Sequence, residues 1–254
     1  MKKAVFQLLL IGPLLLIQHS CTQQVKNTEQ RWKAGVAKAV ITPRENMWMS
    51  GYAVRDMPAQ GTIHDLWAKA LAVEDANGNK ALLITADIIG YSREMSRSIC
   101  DQLMIKFDIE RENIILSSSH SHSGPVINSN LYGIYPEFDE YQKEQIAENL
   151  QFVKKQMIDA ASRALNNLSG ASFSSGAGIA RFAVNRRENH WDDGGIYEAE
   201  VKGPSDHVVQ VFKVTDLKGK PTAVLFGYSC HATCLYGFPE NYGPVYPDLI
   251  FHPP

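Results

Sequence analysis

The sequence predicts an α/β fold in which a mixed β-sheet is flanked by helices. Three observations carry this. Short apolar runs alternate with helical periodicities, two such runs are joined by an Asn-Gly turn as in a hairpin, and two others are separated by a helix. Residues 34–41 (AGVAKAVI) alternate small and apolar side chains and stop at Thr42-Pro43, which suits a first strand. Residues 66–74 and 80–88 are apolar-rich and joined by Asp75-Ala76-Asn77-Gly78-Asn79, where Asn-Gly supplies the positive φ of a tight turn. Residues 92–107 place Met95, Ile99 and Leu103 at helical spacing, with Ser92 positioned to cap the start. Residues 113–116 form a short apolar strand that runs into serines and histidines. Residues 138–168 hold the longest helical pattern, with Ile146, Leu150, Val153, Met157, Ala160 and Ala164 on one face. Residues 207–214 and 222–228 read as two further strands around the turn at 216–220. The polar stretch 185–203 reads as a long loop, a kind often used for function.

The chain has 254 residues, 44% of them hydrophobic, and a formal net charge of −2. Such a length supports a sizeable core. The missing basic surplus excludes a general nucleic-acid binder, and the ordinary composition excludes a disordered chain or a membrane bundle. Lys2 and Lys3 precede an apolar run at residues 4–17 that is shorter than the ~20 residues of a membrane span, which predicts an export signal over residues 1–20. Ser20-Cys21 then resembles a bacterial lipoprotein signal, with Cys21 lipidated; the alternative is ordinary cleavage nearby and an incidental thiol. The expected organisation is signal 1–20, polar tether 21–31 and domain 32–254. The expected location is the periplasm or cell surface, with a lipid anchor in the outer membrane. Cys100, Cys230 and Cys234 are left, an odd number, so no full disulfide framework exists. Cys230 and Cys234 either pair across a turn or pack as small buried hydrophobes.

The chemistry is expected where strands end. Ser117-Ser118-Ser119-His120-Ser121-His122-Ser123-Gly124-Pro125 follows directly on an apolar strand. If extended conformation continues, His120 and His122 project to one face, a common way to offer two imidazoles to one metal ion. His231 lies three residues beyond another strand. The three make a candidate zinc constellation, against the plainer reading of separate histidines with hydroxyl partners. His64 and His207 read as structural. A serine nucleophile has little support, because no Gly-x-Ser-x-Gly elbow is present.

Here the residues carry a resemblance. Residues 35–42 (GVAKAVIT), Ser50-Gly51-Tyr52, Gly61-Thr62-Ile63-His64, Thr85-Ala86-Asp87-Ile88, His120-Ser121-His122-Ser123-Gly124-Pro125, Asn185-Arg186 and Ser229-Cys230-His231-Ala232-Thr233 follow in one order. Together they resemble the neutral ceramidase family across about residues 33 to 236. The resemblance implies a zinc-dependent amidase that hydrolyses an N-acyl amide, such as that of ceramide or a related lipid-like substrate, with metal-activated water. It implies His120 and His231 as zinc ligands, His122 as the histidine beside the metal-bound water, and Arg186 near the reacting carbonyl. Without the resemblance Arg186 reads as a surface ion-pair residue. Asp87 is expected either to orient a ligand histidine or to cap the helix near Ser92. Two departures stand out. Arg187-Glu188 replaces the family's Ser-Pro beside the substrate. The family's further ligands, a glutamate and a tyrosine, lie well downstream, whereas this chain ends 23 residues after His231 (254 − 231). A chain cut short of two ligands is therefore expected. The second functional class is a catalytically incomplete lipid-binding or surface lipoprotein on the same scaffold. Oligomeric state has no signature.

Overall fold

Among the described residues, seven strands build one mixed sheet, with helices against it as the sequence predicts. They are β1 (Lys33–Val40), β3 (Trp67–Glu74), β4 (Lys80–Ala86), β5 (Ile114–Ser118), β6 (Ser169–Ile179), β7 (Val208–Asp216) and β8 (Pro221–Gly227), in the spatial order β5-β4-β3-β1-β6-β7-β8. β4 and β5 run parallel, and the other neighbouring pairs run antiparallel. A separate parallel pair joins β2 (Gly61–Thr62) to β9 (Leu249–Ile250). The computed structural model describes residues 32–52, 55–62, 64–127, 135, 137–185, 203–231 and 249–250. The expected signal, Cys21 and the tether lie outside the described residues, as do Arg186, most of the predicted loop and Cys234.

The β3–β4 hairpin forms for the reason its turn suggests. Gly78 has φ 86°, and the Asp75 carboxylate accepts the backbone N–H groups of Asn77 and Asn79 at 2.8 and 2.9 Å. Between the parallel strands runs α1 (Arg93–Phe107), whose Ser92 cap accepts the Met95 N–H at 3.1 Å. α2 (Glu140–Asn166) opens with a capping box in which Asp139 and Gln142 each accept the other's backbone N–H. Its apolar face lies on β1 and β3, where small residues allow close approach. A Cβ on Gly35 would sit 2.0 Å from the Ala164 carbonyl oxygen.

One core joins this helical layer to the sheet, with Ile41, Leu66, Leu82, Ile84, Ile99, Leu103, Val153 and Met157 fully buried. Period-two alternation sends Leu71 and Val73 to the opposite face of β3, where they meet Phe173, Phe212, Val214 and Leu225 of β6, β7 and β8. β6 is absent from the sequence expectation. Its run SGASFSSGAGI lacks the usual strand formers, and its pairing with β7, from Ala171–Asp216 to Ile179–Val208, specifies it instead. Cys100 is a buried free thiol, whereas Cys230 is free and only half-buried, not the core hydrophobe that the sequence suggests. Among the described residues no helix is long and apolar enough to cross a membrane.

Candidate metal centre

The C-terminal ends of β4, β5 and β8 supply the segments that build the site. β5 stops at Ser118, and Ser119 N–H still donates to the Ala86 carbonyl of β4 at 3.0 Å. The chain then leaves extended conformation, for His120 has φ 55°. The two histidines of His-x-His therefore do not meet by strand alternation, as the sequence expectation held; a left-handed residue turns them together. Such a φ is uncommon outside glycine and persists where the surroundings hold it. Here the His120 ring holds it from one side, donating from Nδ1 to the Ile89 carbonyl just after β4 at 2.7 Å. That hydrogen bond commits Nδ1 and leaves Nε2 as the nitrogen available to a metal.

His122 is placed by a segment far upstream. Ser50 N–H and Ser50 Oγ both donate to the Gly124 carbonyl, at 2.7 and 2.9 Å, and Val126 N–H donates to Trp48 at 2.8 Å. This pairing lays Gly51 directly on the His122 ring. A Cβ at Gly51 would lie 2.5 Å from His122 Cγ, and Gly51 itself has φ 109°. Tyr52 meets the same ring edge-to-face, with centroids 4.8 Å apart.

His231 arrives from β8. The Tyr228 hydroxyl donates to the Ala180 carbonyl at 2.7 Å and accepts the Ala183 N–H at 3.1 Å, which ties the end of β8 to the segment after β6. Three residues later, His231 Nε2 lies 2.7 Å from His122 Nε2. At that separation one nitrogen carries the proton and the other accepts it. His120, His122 and His231 each offer a nitrogen, and these atoms lie within 4.8 Å of one another. The sequence-predicted trio is thus brought together.

The electrostatics favour a neutral His122 imidazole. Burial lowers the His122 pKa to about 4, helped by the adjacent His231 and His120 and by the Arg55 charge. Its buried Nδ1 lies beside the Gly51 backbone without a well-formed hydrogen bond. Neutral imidazoles are metal donors, and three converging nitrogens fit zinc as they fit other divalent transition ions. The Asp87 carboxylate accepts the Trp67 N–H at 2.8 Å, and the residue that caps α1 is Ser92. His64 is exposed, with Nδ1 3.1 Å from the Asp65 carbonyl oxygen, and His207 directly precedes β7. Ile89, Tyr228 and Arg55 support the site with no sequence motif to signal it, because their contributions come from a carbonyl, a cross-strand hydroxyl and a long-range contact.

The model of the family described as neutral/alkaline non-lysosomal ceramidase, N-terminal, matches residues 32–240. The chain belongs to that family. Among ceramidase relatives, the neutral ceramidase of Drosophila pseudoobscura pseudoobscura is 24% identical over 80% of this chain and 29% of its own length. Neutral ceramidase A of Dictyostelium discoideum is 26% identical over 91% of this chain and 33% of its own. The crystal structure of neutral ceramidase from Pseudomonas aeruginosa superposes with a TM-score of 0.66 at 22% identity, covering 82% of this chain and 33% of that one. The fold is therefore shared, and the chain spans about a third of the length of these ceramidases.

Proposed function

We propose that the chain carries the histidine part of a metal-dependent amidase centre acting on the N-acyl amide bond of ceramide or a related lipid-like compound. The convergence of His120, His122 and His231 on one point carries this reading. The ceramidase names of the relatives supply the substrate class. A bound zinc ion supplies Lewis acidity and water activated near neutral pH. His120 offers Nε2 because Nδ1 is committed to Ile89, and His231 offers a second nitrogen. His122, neutral at pH 7, accepts a proton during attack and returns one to the leaving amine. Arg186 is assigned to the developing oxyanion, which a guanidinium stabilises. Arg187-Glu188 in place of Ser-Pro favours an N-acyl substrate other than ceramide itself. Export and lipidation at Cys21 belong to the same proposal, since an anchored enzyme meets lipid substrates at a membrane surface.

The test is metal analysis of the purified full chain together with hydrolysis of ceramide and of N-acyl amino acids. About one equivalent of zinc is expected, lost in His120→Ala and His231→Ala. His122→Ala is expected to retain metal and lose turnover by roughly 10²- to 10⁴-fold. No metal and no hydrolysis of either substrate in a protein extended to the length of the relatives sinks the reading. Mass spectrometry of the mature N-terminus tests the anchor, an unmodified Cys21 being the contrary result.

A further inference from the structure

Arg55 lies far from the histidines in sequence, yet its guanidinium is buried, with 6% of the residue exposed. Placing a cation there is costly, so what it touches matters. Arg55 Nη2 donates to the His122 carbonyl at 3.1 Å across 67 residues of sequence. The same guanidinium lies 5.6 Å from the Tyr52 ring centroid, and Tyr52 in turn sets its ring against His122. His122 is therefore held twice by one side chain, through its backbone carbonyl directly and through its ring by way of Tyr52. Two residues upstream, the His120 backbone is left-handed, so the turn carrying both imidazoles needs a restraint on its far side. The Ile89 carbonyl restrains the His120 end, and Arg55 is placed to restrain the His122 end.

We propose that Arg55 is a positioning residue that fixes the turn and ring orientation of His122 in the candidate metal centre. A planar guanidinium suits this work because it can donate in its plane while its face lies against an aromatic ring. The catalytic importance of that orientation rests on the amidase reading above; the orientation itself does not.

The experiment compares the histidine-ring ¹H–¹⁵N spectra of the full metal-free chain with those of Arg55→Met and Arg55→Lys. Arg55→Met is expected to shift or broaden the His122 ring signals while leaving those of His64 and His207 in place. Arg55→Lys, which keeps the charge and a donor, is expected to recover part of the wild-type pattern. Cobalt(II) loading supplies a second readout, with an altered visible spectrum expected in Arg55→Met. If turnover is measured, kcat is expected to fall about 10- to 100-fold with KM nearly unchanged, as for other residues that orient a metal centre. Unchanged His122 ring signals in a folded Arg55→Met overturn the proposal. Should Arg55→Met fail to fold, Arg55→Gln, which removes the charge, decides: perturbed His122 signals support the role, and a wild-type pattern at His122 rejects it. The ring spectra need neither metal nor substrate, so they distinguish a failed positioning role from a failed amidase reading.

Discussion

At the scale of single residues, the site depends on a glycine as much as on its histidines. Gly51 has φ 109° and lies where a methyl group would overlap the His122 ring. Gly51→Ala therefore forces two adjustments at once, a backbone conformation that L-residues avoid and displacement of His122. We expect destabilisation of about 1–3 kcal/mol by chemical denaturation. Zinc binding at the proposed site should also weaken, which isothermal titration with zinc measures. Wild-type affinity and stability in Gly51→Ala would show that the contact has no such role. The three histidines were legible in the sequence, since His-x-His and a third histidine after a strand have few better uses. The reason they meet was not. It lies in the left-handed φ of His120, in a hydrogen bond to the Ile89 carbonyl and in pairing between residues 48–50 and 124–126. Backbone groups carry no signature in side-chain identity, so sequence pattern cannot report them.

At the scale of elements, local chemistry predicts well where it decides alone. The β3–β4 turn and the α1 cap were legible because Asn77-Gly78 and Ser92 act on their own neighbours. β6 was not, because Gly and Ser give it little intrinsic preference and its register comes from β7. The hairpin turn makes a pH prediction. Hydrogen bonds from the Asn79 side chain first, then from the Asn79 and Asn77 backbone, hold the Asp75 carboxyl below its ordinary 3.8. A depressed acid stabilises the fold above its unfolded pKa and loses that contribution as pH falls through the folded value. The Tm advantage of wild type over Asp75→Asn should be constant above about pH 5 and shrink below about pH 3.8. A gap independent of pH would contradict this. Packing makes another prediction, for α2 can approach β1 only because Gly35 has no side chain. Gly35→Ala should cost about 1–3 kcal/mol, since the obstacle is the backbone carbonyl of Ala164 and cannot rotate aside. An unchanged denaturation midpoint would mean that the helix shifts freely.

At the scale of the whole molecule, the candidate centre joins two halves of unequal burial. His120 and His122 follow β5, whose neighbour β4 buries Leu82 and Ile84 to 1% and 0% exposure. His231 follows β8, where Val224 and Phe226 are 56% and 72% exposed. Among the described residues, β1 and β6 pair only at Lys33–Gly170 and Ala34–Ser169, with the Ala171 N–H donating to the Trp32 carbonyl beside them and the Leu71–Val214 cluster packed across the same join. Strands with few buried apolar contacts open locally at lower free energy than a shared core. In the metal-free chain, amides of β8 should therefore exchange with deuterium faster than those of β3 and β4. A ligand that binds only the closed arrangement stabilises it by mass action, and one bridging His120 and His231 links both halves. Zinc should then slow exchange most in β8 and the residues leading to His231, with little change in β4. His231→Ala should remove that protection while leaving the β3–β4 pattern intact. Uniform protection by zinc across the sheet, or none in β8, would mean that the metal does not couple the halves in this way.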